Sequence, residues 1–306
     1  MRIFLAGATG FLGRALVPIL HRNGHEVVAL SRNAESARKK LRFAKEVVQG
    51  DLLQPGEWMK ALDRCDAVIN LSGEQAVGRR WTPALKQKIY DTRVDATANL
   101  VKAIRQAEKA PRLFINASAA GYYSPSTARE LTEDVPPGTD ALAQLCVAWE
   151  AAAREAEALG IRVVLLRLGV VLHHSGGALK KLLPLYRLGL GGPIGSGKQG
   201  FPWIHRDDVT AAICFLLEHE DVNGPVNLIA PQLVSNSQFA KTLGRLVKRP
   251  AIIPTPGWAL RLAFKEGAEG LIHGCRPIPA KLLSTGFAFA HPTLRKALTA
   301  ILQDRV

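Results

Sequence analysis

Short apolar runs alternate with longer amphipathic stretches along the first two thirds of this 306-residue chain. An unbroken run rich in Val, Ile and Leu predicts a strand of a parallel sheet, because such strands are buried on both faces. A stretch with an apolar residue at every third or fourth position predicts a helix. Six runs have the strand pattern: 3–6, 26–30, 46–50, 67–71, 112–118 and 162–167. The regular alternation predicts an α/β fold with a doubly wound parallel sheet.

The amphipathic stretches predict the helices. We expect two long helices over about 82–108 and 141–159, and a shorter one over about 176–188. Residues 189–198 contain five glycines and a proline, which excludes regular structure there.

The alternation stops in the last third of the chain. A further strand is predicted at 225–229, but six prolines interrupt the helical patterns that follow residue 235. We therefore expect a main domain over 1–172, which strand 225–230 joins, and a smaller C-terminal lobe over 173–306.

The first predicted strand leads directly into a glycine-rich turn, GATGFLG at 7–13. Gly7 and Gly10 leave this turn without side chains, so that a pyrophosphate can reach the backbone N–H groups. We expect the next helix to begin near Phe11 and to direct its positive dipole end at the same place. Gly13 allows that helix to pack closely on the strand. A strand, a glycine turn and a helix in this order predict a Rossmann-type dinucleotide site.

The end of the second predicted strand indicates which dinucleotide is bound. An acidic residue at this place holds the ribose hydroxyls of NAD. The chain has Ser31 and Arg32 there instead. A hydroxyl and a guanidinium suit a 2′-phosphate, because the guanidinium fork bonds phosphate oxygens in charge-assisted pairs. We therefore predict NADP(H) as the cofactor.

Two more segments are expected beside the cofactor. The fourth predicted strand ends in NLSG at 70–73, where a small residue and a glycine let the backbone approach a ligand closely. Arg93 lies in the long predicted helix that flanks this strand. We interpret Arg93 as a phosphate-binding residue; the alternative is an ordinary surface arginine.

Composition narrows the class of protein. A hydrophobic fraction of 47% and a charged fraction of 22% are typical of a soluble globular protein. No apolar run approaches the ~20 residues that cross a bilayer, and the N-terminus lacks the basic segment of a signal peptide. The four cysteines are far apart, which favours neither a disulfide framework nor a metal site. We expect a cytoplasmic protein without a metal and without a membrane partner.

The chain is strongly basic, with a formal net charge of +14. Residues 240–306 alone hold eleven Lys and Arg against three Asp and Glu. A basic balance is compatible with nucleic acid, with a membrane surface or with an anionic ligand. The basic residues are scattered singly and no nucleic-acid module is visible, so we expect no nucleic-acid partner. We favour a basic surface that attracts a phosphorylated ligand.

The motifs together resemble those of the extended short-chain dehydrogenase/reductase superfamily. The segments that carry this resemblance are GATGFLG at 7–13, NLSG at 70–73, SAAGYY at 118–123, LRLGVVL at 166–172 and WIHRDDV at 203–209. Two later segments of the chain resemble one branch of this superfamily, the nucleoside-diphosphate-sugar-epimerase-like "epimerase family protein" group. These segments are GLGGPIGSGKQ at 189–199 and RPIPAKLLSTGFAFAHPTLRKAL at 276–298. The branch has a C-terminal domain of unknown function, here over 250–298. The resemblance implies a Rossmann domain that binds NADP(H), with the smaller lobe over a substrate cleft.

The resemblance also implies which residues contact the cofactor. Around the pyrophosphate these are Gly7, Thr9, Gly10, Phe11, Leu12 and Gly13. The others are Ser31 and Arg32 at the 2′-phosphate, Leu71, Ser72 and Gly73 beside the adenosine half, Arg93 on the flanking helix, and Val171 beside the nicotinamide half.

The catalytic pattern of the superfamily is incomplete in this chain. Its members use a serine, a tyrosine that transfers a proton, and a lysine whose charge favours the phenolate. Ser118 occupies the serine position, whereas Leu142 and Cys146 stand at the positions of the tyrosine and the lysine. Leucine has no proton to transfer, and a neutral thiol brings no positive charge.

Other residues are candidates for the missing proton transfer. Tyr122 and Tyr123 follow Ser118 closely, with packing beneath the site as the alternative role. Cys146 and His205 are weaker candidates, since a cysteine on an amphipathic helix is usually buried and His205 precedes a predicted helix start. We predict Ser118 and Tyr122 as the catalytic residues.

Two functional hypotheses follow. The first is an NADP(H)-dependent oxidoreductase or epimerase-like enzyme that acts on a small polar carbonyl or hydroxyl compound, with Ser118 orienting the substrate oxygen. The second is a non-catalytic NADPH-binding redox sensor or scaffold, which the missing tyrosine and lysine would allow. The identity of the substrate and the formation of a homodimer are left open.

Overall fold

The computed structural model describes residues 1–125 and 130–304. The strands in these ranges are β1 (Arg2–Ala6), β2 (Glu26–Ser31), β3 (Glu46–Gln49), β4 (Ala67–Asn70), β5 (Leu113–Ala119), β6 (Arg162–Leu168), β7 (Val170–Leu172), β8 (Trp203–His205) and β9 (Gly224–Leu228). The α-helices are α1 (Gly13–Arg22), α2 (Ala34–Lys40), α3 (Pro83–Asp91), α4 (Val94–Gln106), α5 (Ala141–Arg154), α6 (Gly177–Arg187), α7 (Arg206–Glu218), α8 (Asn236–Leu246), α9 (Gly257–Phe264), α10 (Glu269–Ile272), α11 (Ala280–Ser284) and α12 (Leu294–Gln303). Short 3₁₀ helices lie at Glu57–Leu62, Ala120–Tyr122, Glu155–Leu159 and Lys265–Ala268.

Seven strands form one parallel sheet in the order β3-β2-β1-β4-β5-β6-β9. From β1 the chain runs outward to one edge through β2 and β3, and then crosses back to β4 on the other side of β1. The strand order therefore reverses between β1 and β4, which is the point where ligands bind in such sheets. This topology confirms the predicted doubly wound fold of the Rossmann type.

The strands are buried on both faces, as their unbroken apolar runs require. On one face Leu16 of α1 and Ile213 of α7 pack with Leu5 of β1. On the other face Leu100 of α4 and Trp58 pack with the remaining side chains of the same strands. Helix α7, from the sequence segment assigned to the C-terminal lobe, thus contributes to the main core; the boundary at residue 172 itself stays a prediction.

The C-terminal part has its own apolar cluster. Leu183 of α6, Phe239 of α8 and Leu298 of α12 pack together in it, next to Trp203 of β8. The pair β7–β8 forms a second, two-stranded parallel ladder, which the short runs of its sequence did not predict. Within the described ranges, every helix is too short or too polar to span a bilayer.

The prediction of one long helix over 82–108 is wrong, because the chain breaks between α3 and α4. Thr92 ends α3: its hydroxyl donates to the Lys88 carbonyl oxygen at 2.7 Å and accepts the Glu74 N–H at 3.1 Å. A threonine hydroxyl that donates to a backbone carbonyl oxygen competes with the backbone hydrogen bonds of a regular helix. Arg93 consequently stands at the N-cap of α4, with φ −111° and ψ −64°, instead of in the middle of a helix.

Candidate functional site

The glycine turn follows β1 at the reversal point of the sheet, and Gly7 and Gly13 meet backbone that leaves no room for a side chain. Gly7 has φ +79°, and a β-carbon there would lie 2.6 Å from the Leu71 carbonyl carbon. The Gly10 N–H donates to the Gly7 carbonyl oxygen at 2.9 Å. A β-carbon on Gly13 would overlap that same carbonyl oxygen. The close approach of turn, β4 and helix is therefore possible only with glycine.

Helix α1 begins at Gly13, two residues later than the sequence indicated, and its N-terminus has no side-chain cap. Leu12 stands at the N-cap and has no side-chain oxygen to cap the helix, while its carbonyl oxygen accepts the Ala15 and Leu16 N–H groups, so that the N–H groups before Arg14 are left without a helical partner. These N–H groups, with the positive end of the helix dipole, form a site that favours an anion. Thr9 and Gly10 lie on the open side of the turn, where Gly10 is exposed. The geometry fits a pyrophosphate.

Phe11 connects the glycine turn to the segment after β7. A β-carbon on Gly176 would overlap the Phe11 ring, so the ring lies directly against that glycine. Gly177 has φ +63°, and a β-carbon on it would lie 2.9 Å from the Val171 carbonyl oxygen. The structure thus brings Val171 to the glycine turn, although the two are more than 150 residues apart in the sequence.

The end of β2 presents Arg32 to solvent. The Ser31 hydroxyl donates to the Asn33 carbonyl oxygen at 3.1 Å, which fixes the turn between them. Asn33 caps α2 by accepting the Ser36 N–H at 2.9 Å. Arg32 itself is exposed, and no described carboxylate lies within 4.0 Å of it. Its guanidinium is therefore available to an anion at the carboxyl end of β2.

On the other side of β1, the segment after β4 brings Arg93 to the same edge of the sheet. The Leu71 N–H donates to the Ala6 carbonyl oxygen at 3.0 Å, and the Ser72 side chain is bound to Asn70. A β-carbon on Gly73 would lie 3.5 Å from the Arg93 Cζ, so glycine lets the guanidinium approach the backbone.

Arg93 is a half-buried cation without an acidic partner. Its guanidinium lies 5.1 Å from the centre of the Trp149 ring, and Nη1 donates to the Ile89 carbonyl oxygen at 3.3 Å. No carboxylate in the described part of the chain lies within 4.0 Å of it. Burial lowers the pKa of the guanidinium, which nevertheless stays charged. A buried charge normally has a partner, so this one is suited to a ligand anion.

Ser118 does not face an open cleft. Its hydroxyl donates to Glu150 Oε1 at 2.7 Å, and the residue is only 2% exposed. Arg167 binds the same carboxylate, from Nε to Oε1 and from Nη2 to Oε2, at 2.9 Å each. The Arg167 Nη1 also donates to the Tyr123 hydroxyl at 2.9 Å. The serine is therefore one member of a buried polar network.

Sequence reasoning missed the Glu150–Arg167 pair at the centre of this network. Arg167 is a buried charge that directly follows the apolar run Val163–Leu166 of β6, and a fully buried charge requires a charged or hydrogen-bonded partner. In the sequence, this arginine within an apolar strand was the sign that a buried ion pair or hydrogen-bond network is present. Its partner could not be identified in advance, because several acidic residues on neighbouring elements were equally compatible with the pattern.

Tyr123 and Tyr122 have different environments. The Tyr123 hydroxyl donates to Asn227 Oδ1 at 2.7 Å, and burial raises its pKa to about 12, so it stays protonated. The Tyr122 ring lies under the Arg167 guanidinium, 3.4 Å from Cζ to the ring centre, and edge-on to Tyr123. Tyr122 is only partly buried. Of the two, Tyr122 is the one that is partly exposed and so is the better candidate to contact a ligand.

The positions of the missing tyrosine and lysine lie next to this tyrosine loop. A β-carbon on Gly121 would lie 3.7 Å from the Leu142 Cβ and 4.0 Å from the Cys146 Sγ. Burial raises the pKa of the Cys146 thiol to about 12, so it is neutral. The C-terminal segment covers this place, since a β-carbon on Gly270 would lie 3.3 Å from the Leu142 Cδ1. The arrangement offers neither the tyrosine nor the lysine charge on α5.

His205 is bound within the structure. It accepts the Asp207 N–H on Nδ1 at 3.1 Å as the N-cap of α7, and its ring stacks on His291 with 3.9 Å between centres. Burial, together with the charge of His291, lowers its pKa to about 4, so it is neutral near pH 7. The side chains of His205, Asp207 and His291 also have potential metal-ligating atoms within 4.8 Å of one another. Since Nδ1 already serves the helix cap, we interpret His205 as a structural residue.

The comparisons with known proteins agree with this fold. The family described as NAD dependent epimerase/dehydratase matches residues 3–229, and the domain of unknown function DUF1731 matches residues 255–301. The mouse protein named "Epimerase family protein SDR39U1" is 39% identical over 99% of this chain and 100% of its own length. The Mycobacterium bovis protein named "Epimerase family protein Mb2239" is 41% identical over 97% of this chain and 96% of its own.

A solved structure is similar over the whole chain. The crystal structure of human epimerase family protein SDR39U1 (isoform 2) with NADPH has a TM-score of 0.89 and 37% identity, covering 99% of this chain and 100% of the human one. The family match spans both sides of the sheet, and the second match covers the C-terminal helices. The chain therefore belongs to the NAD dependent epimerase/dehydratase family, among the epimerase family proteins that carry a C-terminal DUF1731 domain.

Proposed function

We propose that this chain binds NADP(H) at the reversal point of its sheet and uses it to reduce or oxidise a small carbonyl or hydroxyl compound. The observation that carries the proposal is the pair of arginines without acidic partners on either side of β1. Arg32 follows β2 and Arg93 lies beside the segment after β4, with the uncapped N-terminus of α1 between them. These anion-binding features lie together at the carboxyl ends of the strands, where the 2′-phosphate and the pyrophosphate of NADP would bind.

The relatives support the cofactor without deciding its details. The human relative was crystallised with NADPH, and its sequence and fold are close to those of this chain. In our proposal Arg32 and Ser31 bind the 2′-phosphate, and the turn 7–13 binds the pyrophosphate. Arg93, which lies next to Gly73, binds a phosphate oxygen of the cofactor from the other side. Val171 lies beside the nicotinamide half, because Phe11 and Gly177 hold its segment at the glycine turn.

The nicotinamide ring would supply a hydride donor or acceptor, and the chain must then supply a proton. Tyr122 is the proposed proton donor, because its ring is fixed by Arg167 and Tyr123 while the residue as a whole is only partly buried. Ser118 is proposed as a positioning residue, since its hydroxyl already holds the Glu150 carboxylate that anchors Arg167. In this proposal the serine does not contact substrate.

Cofactor binding is tested by titrating the chain with NADPH and with NADH. We expect NADPH to bind more tightly, and Arg32→Ala to weaken it by roughly 10- to 100-fold, the worth of a charge-assisted bond. The affinity for NADH should not change. Arg42→Ala, an exposed arginine of the same domain, is the matched control. Equal binding of the two cofactors, or an unchanged preference in Arg32→Ala, would contradict the proposal.

Turnover is tested by NADPH oxidation over a panel of aldehydes, ketones and sugar nucleotides. With an active substrate, Tyr122→Phe should lower kcat by roughly 10²- to 10⁴-fold, as expected for loss of general acid catalysis. Tyr90→Phe, an exposed tyrosine on α3, should have no effect. Full activity of Tyr122→Phe would remove Tyr122 from the mechanism.

A second candidate function is a non-catalytic NADPH-binding redox sensor or scaffold. One observation favours it: Leu142 and Cys146 stand beside the tyrosine loop, and the serine hydroxyl is committed to Glu150. Tight NADPH binding together with no turnover across the whole panel would support this function over the enzyme.

A further inference from the structure

The C-terminal lobe carries an exposed apolar surface that the proposed cofactor site does not use. Its most exposed members are 70% to 77% accessible, which is unusual for side chains of this size. We call it the basic-apolar face and define its apolar part by Leu188, Leu190, Ile252, Ile253, Trp258 and Leu262.

These side chains come from two segments that run side by side. The Ile253 N–H donates to the Gly191 carbonyl oxygen at 3.3 Å, and the Thr255 N–H donates to the Pro193 carbonyl oxygen at 2.9 Å. The loop that follows α6 is therefore paired with the segment that leads into α9. The exposed Leu and Ile side chains of both segments lie on this paired ribbon.

Helix α9 follows the ribbon directly and has an unusual composition for a surface helix. Its sequence, GWALRLAF, is mostly apolar, yet none of its residues is buried. Trp258 and Leu262 are four residues apart and so lie on the same side of the helix. A helix with apolar side chains open to solvent indicates a binding surface.

The segments that carry this face are rich in basic residues and poor in acidic ones. Residues 158–206 and 222–265 contain no Asp or Glu at all. The same segments carry exposed basic side chains, namely Lys181, Arg187, Arg245, Lys248 and Arg249. None of these five has a described carboxylate within 4.0 Å, in contrast to the ion pair that Arg261 makes with Glu269. The Arg249 Nε donates to the Arg187 carbonyl oxygen, which holds two of them at the ribbon.

Lys248, one of the exposed basic residues, has a strained backbone conformation. It stands just after α8 with φ +54°, the left-handed region where glycine is normal at a helix end. The Arg249 N–H closes the turn by donating to the Gly244 carbonyl oxygen at 2.9 Å. A lysine at this position is strained, and glycine would adopt the same backbone conformation without strain.

We propose that the basic-apolar face docks on the surface of an anionic phospholipid bilayer. Apolar side chains and a tryptophan enter the headgroup region, while lysines and arginines around them bind the anionic headgroups. A second copy of this chain is a poorer occupant, because each copy would bring the same excess of basic over acidic side chains to the contact and the two would repel each other. The proposal departs from the sequence-based expectation of no membrane partner, and it is independent of the proposed cofactor chemistry.

The test is sedimentation of the full chain with lipid vesicles. The chain should sediment with vesicles of phosphatidylcholine and phosphatidylglycerol and not with phosphatidylcholine alone, and added salt should release it. No sedimentation with either, or equal sedimentation with both, would overturn the proposal.

Two variants of the face and two controls locate the contact. Trp258→Ser with Ile252→Ser should lower the partition coefficient by roughly tenfold or more. Lys248→Gly should lower it by about fivefold, the effect of one basic residue near the surface. Lys248→Gly also relieves the strained backbone, so its melting temperature should not fall, and weaker binding cannot then result from misfolding.

The controls remove the same kinds of side chain elsewhere. Phe43→Ser removes an exposed aromatic residue of the main domain, and Lys109→Gly removes an exposed lysine of a main-domain loop. Both should bind vesicles as the unaltered chain does; a loss equal to that of the face variants would overturn the proposal. Sedimentation equilibrium checks the alternative occupant: a dimer that Trp258→Ser dissociates, together with no vesicle binding, would assign the face to a second copy.

Discussion

Arg167 on β6 binds Glu150 on α5 through two parallel hydrogen bonds of 2.9 Å, with both side chains buried. Ser118 on β5 donates to the same carboxylate at 2.7 Å. One carboxylate thus joins two central strands to the helix that carries Leu142 and Cys146. The pair holds the tyrosine loop as well, since the Arg167 guanidinium covers the Tyr122 ring.

Loss of one partner of this pair should strongly destabilise the protein. Arg167→Met leaves the Glu150 carboxylate buried without a cation, and we expect the free energy of unfolding to fall by about 3–5 kcal/mol in urea denaturation. The double variant Glu150→Leu with Arg167→Met has no buried charge and should lose less than the sum of the two single losses. Additive losses would contradict this account. Lys39→Met, in an exposed pair with Glu35, should cost no more than about 0.5 kcal/mol.

Substitutions at two glycines with nearly the same backbone conformation can distinguish the cost of backbone strain from the cost of steric crowding. Gly7 has φ +79° and Gly24 has φ +78°, but a β-carbon on Gly24 meets nothing within 4 Å. Gly24→Ala should therefore cost only the left-handed strain, about 1–2 kcal/mol of unfolding free energy. Gly7→Ala should cost about 1–3 kcal/mol more, because its β-carbon meets the backbone after β4, and it should abolish NADPH binding. Equal destabilisation by both would show that the crowding at Gly7 is relieved elsewhere.

Arg93→Gln should affect ligand binding without weakening the fold. In our proposal it lowers the affinity for both NADPH and NADH by roughly 10- to 100-fold, whereas Arg32→Ala acts on NADPH alone. The free energy of unfolding should change by less than about 1 kcal/mol, because the variant loses a cation–π contact but also removes an unpaired buried charge. Arg105→Gln, at the exposed end of the same helix, is the control. A large loss of stability with unchanged affinity would assign Arg93 a purely structural role.

His205 predicts a dependence of stability on pH. Its pKa is about 4 in the folded protein and 6.5 in the unfolded chain, so the folded state favours the neutral ring. The stabilisation is complete above pH 6.5 and is lost as the pH falls from 6.5 toward 4, by up to about 1.4 kcal/mol per pH unit.

The variant His205→Asn isolates this contribution. Asparagine can still cap α7 but does not titrate. The difference in unfolding free energy between the two proteins should therefore shrink as the pH falls through this window, measured by urea denaturation at each pH. A difference that is constant between pH 7 and pH 4 would show that the ring is accessible to protonation in the folded state.

The sequence alone was sufficient for the sheet and the glycine turn. Unbroken apolar runs report burial on both faces, and the spacing of Gly7, Gly10 and Gly13 reports a close approach of backbones; both are local properties of the chain. The long helix over 82–108 was wrong for a local reason too. The hydrophobic period continues through Thr92, but its hydroxyl hydrogen bonds end α3 there.

Contacts between residues distant in the chain were decided only by the tertiary structure. The sequence marks Ser118 and Arg167 as polar residues in apolar strands, but only packing of β5, β6 and α5 shows that both bind Glu150. Likewise, the paired ribbon joins side chains about 60 residues apart, which no periodic pattern connects. Periodicity records which side of an element is buried, whereas the partner of a buried charge depends on how separate elements pack. The turn at 7–13 could therefore be predicted from the sequence, whereas the surroundings of Ser118 and Arg93 could not.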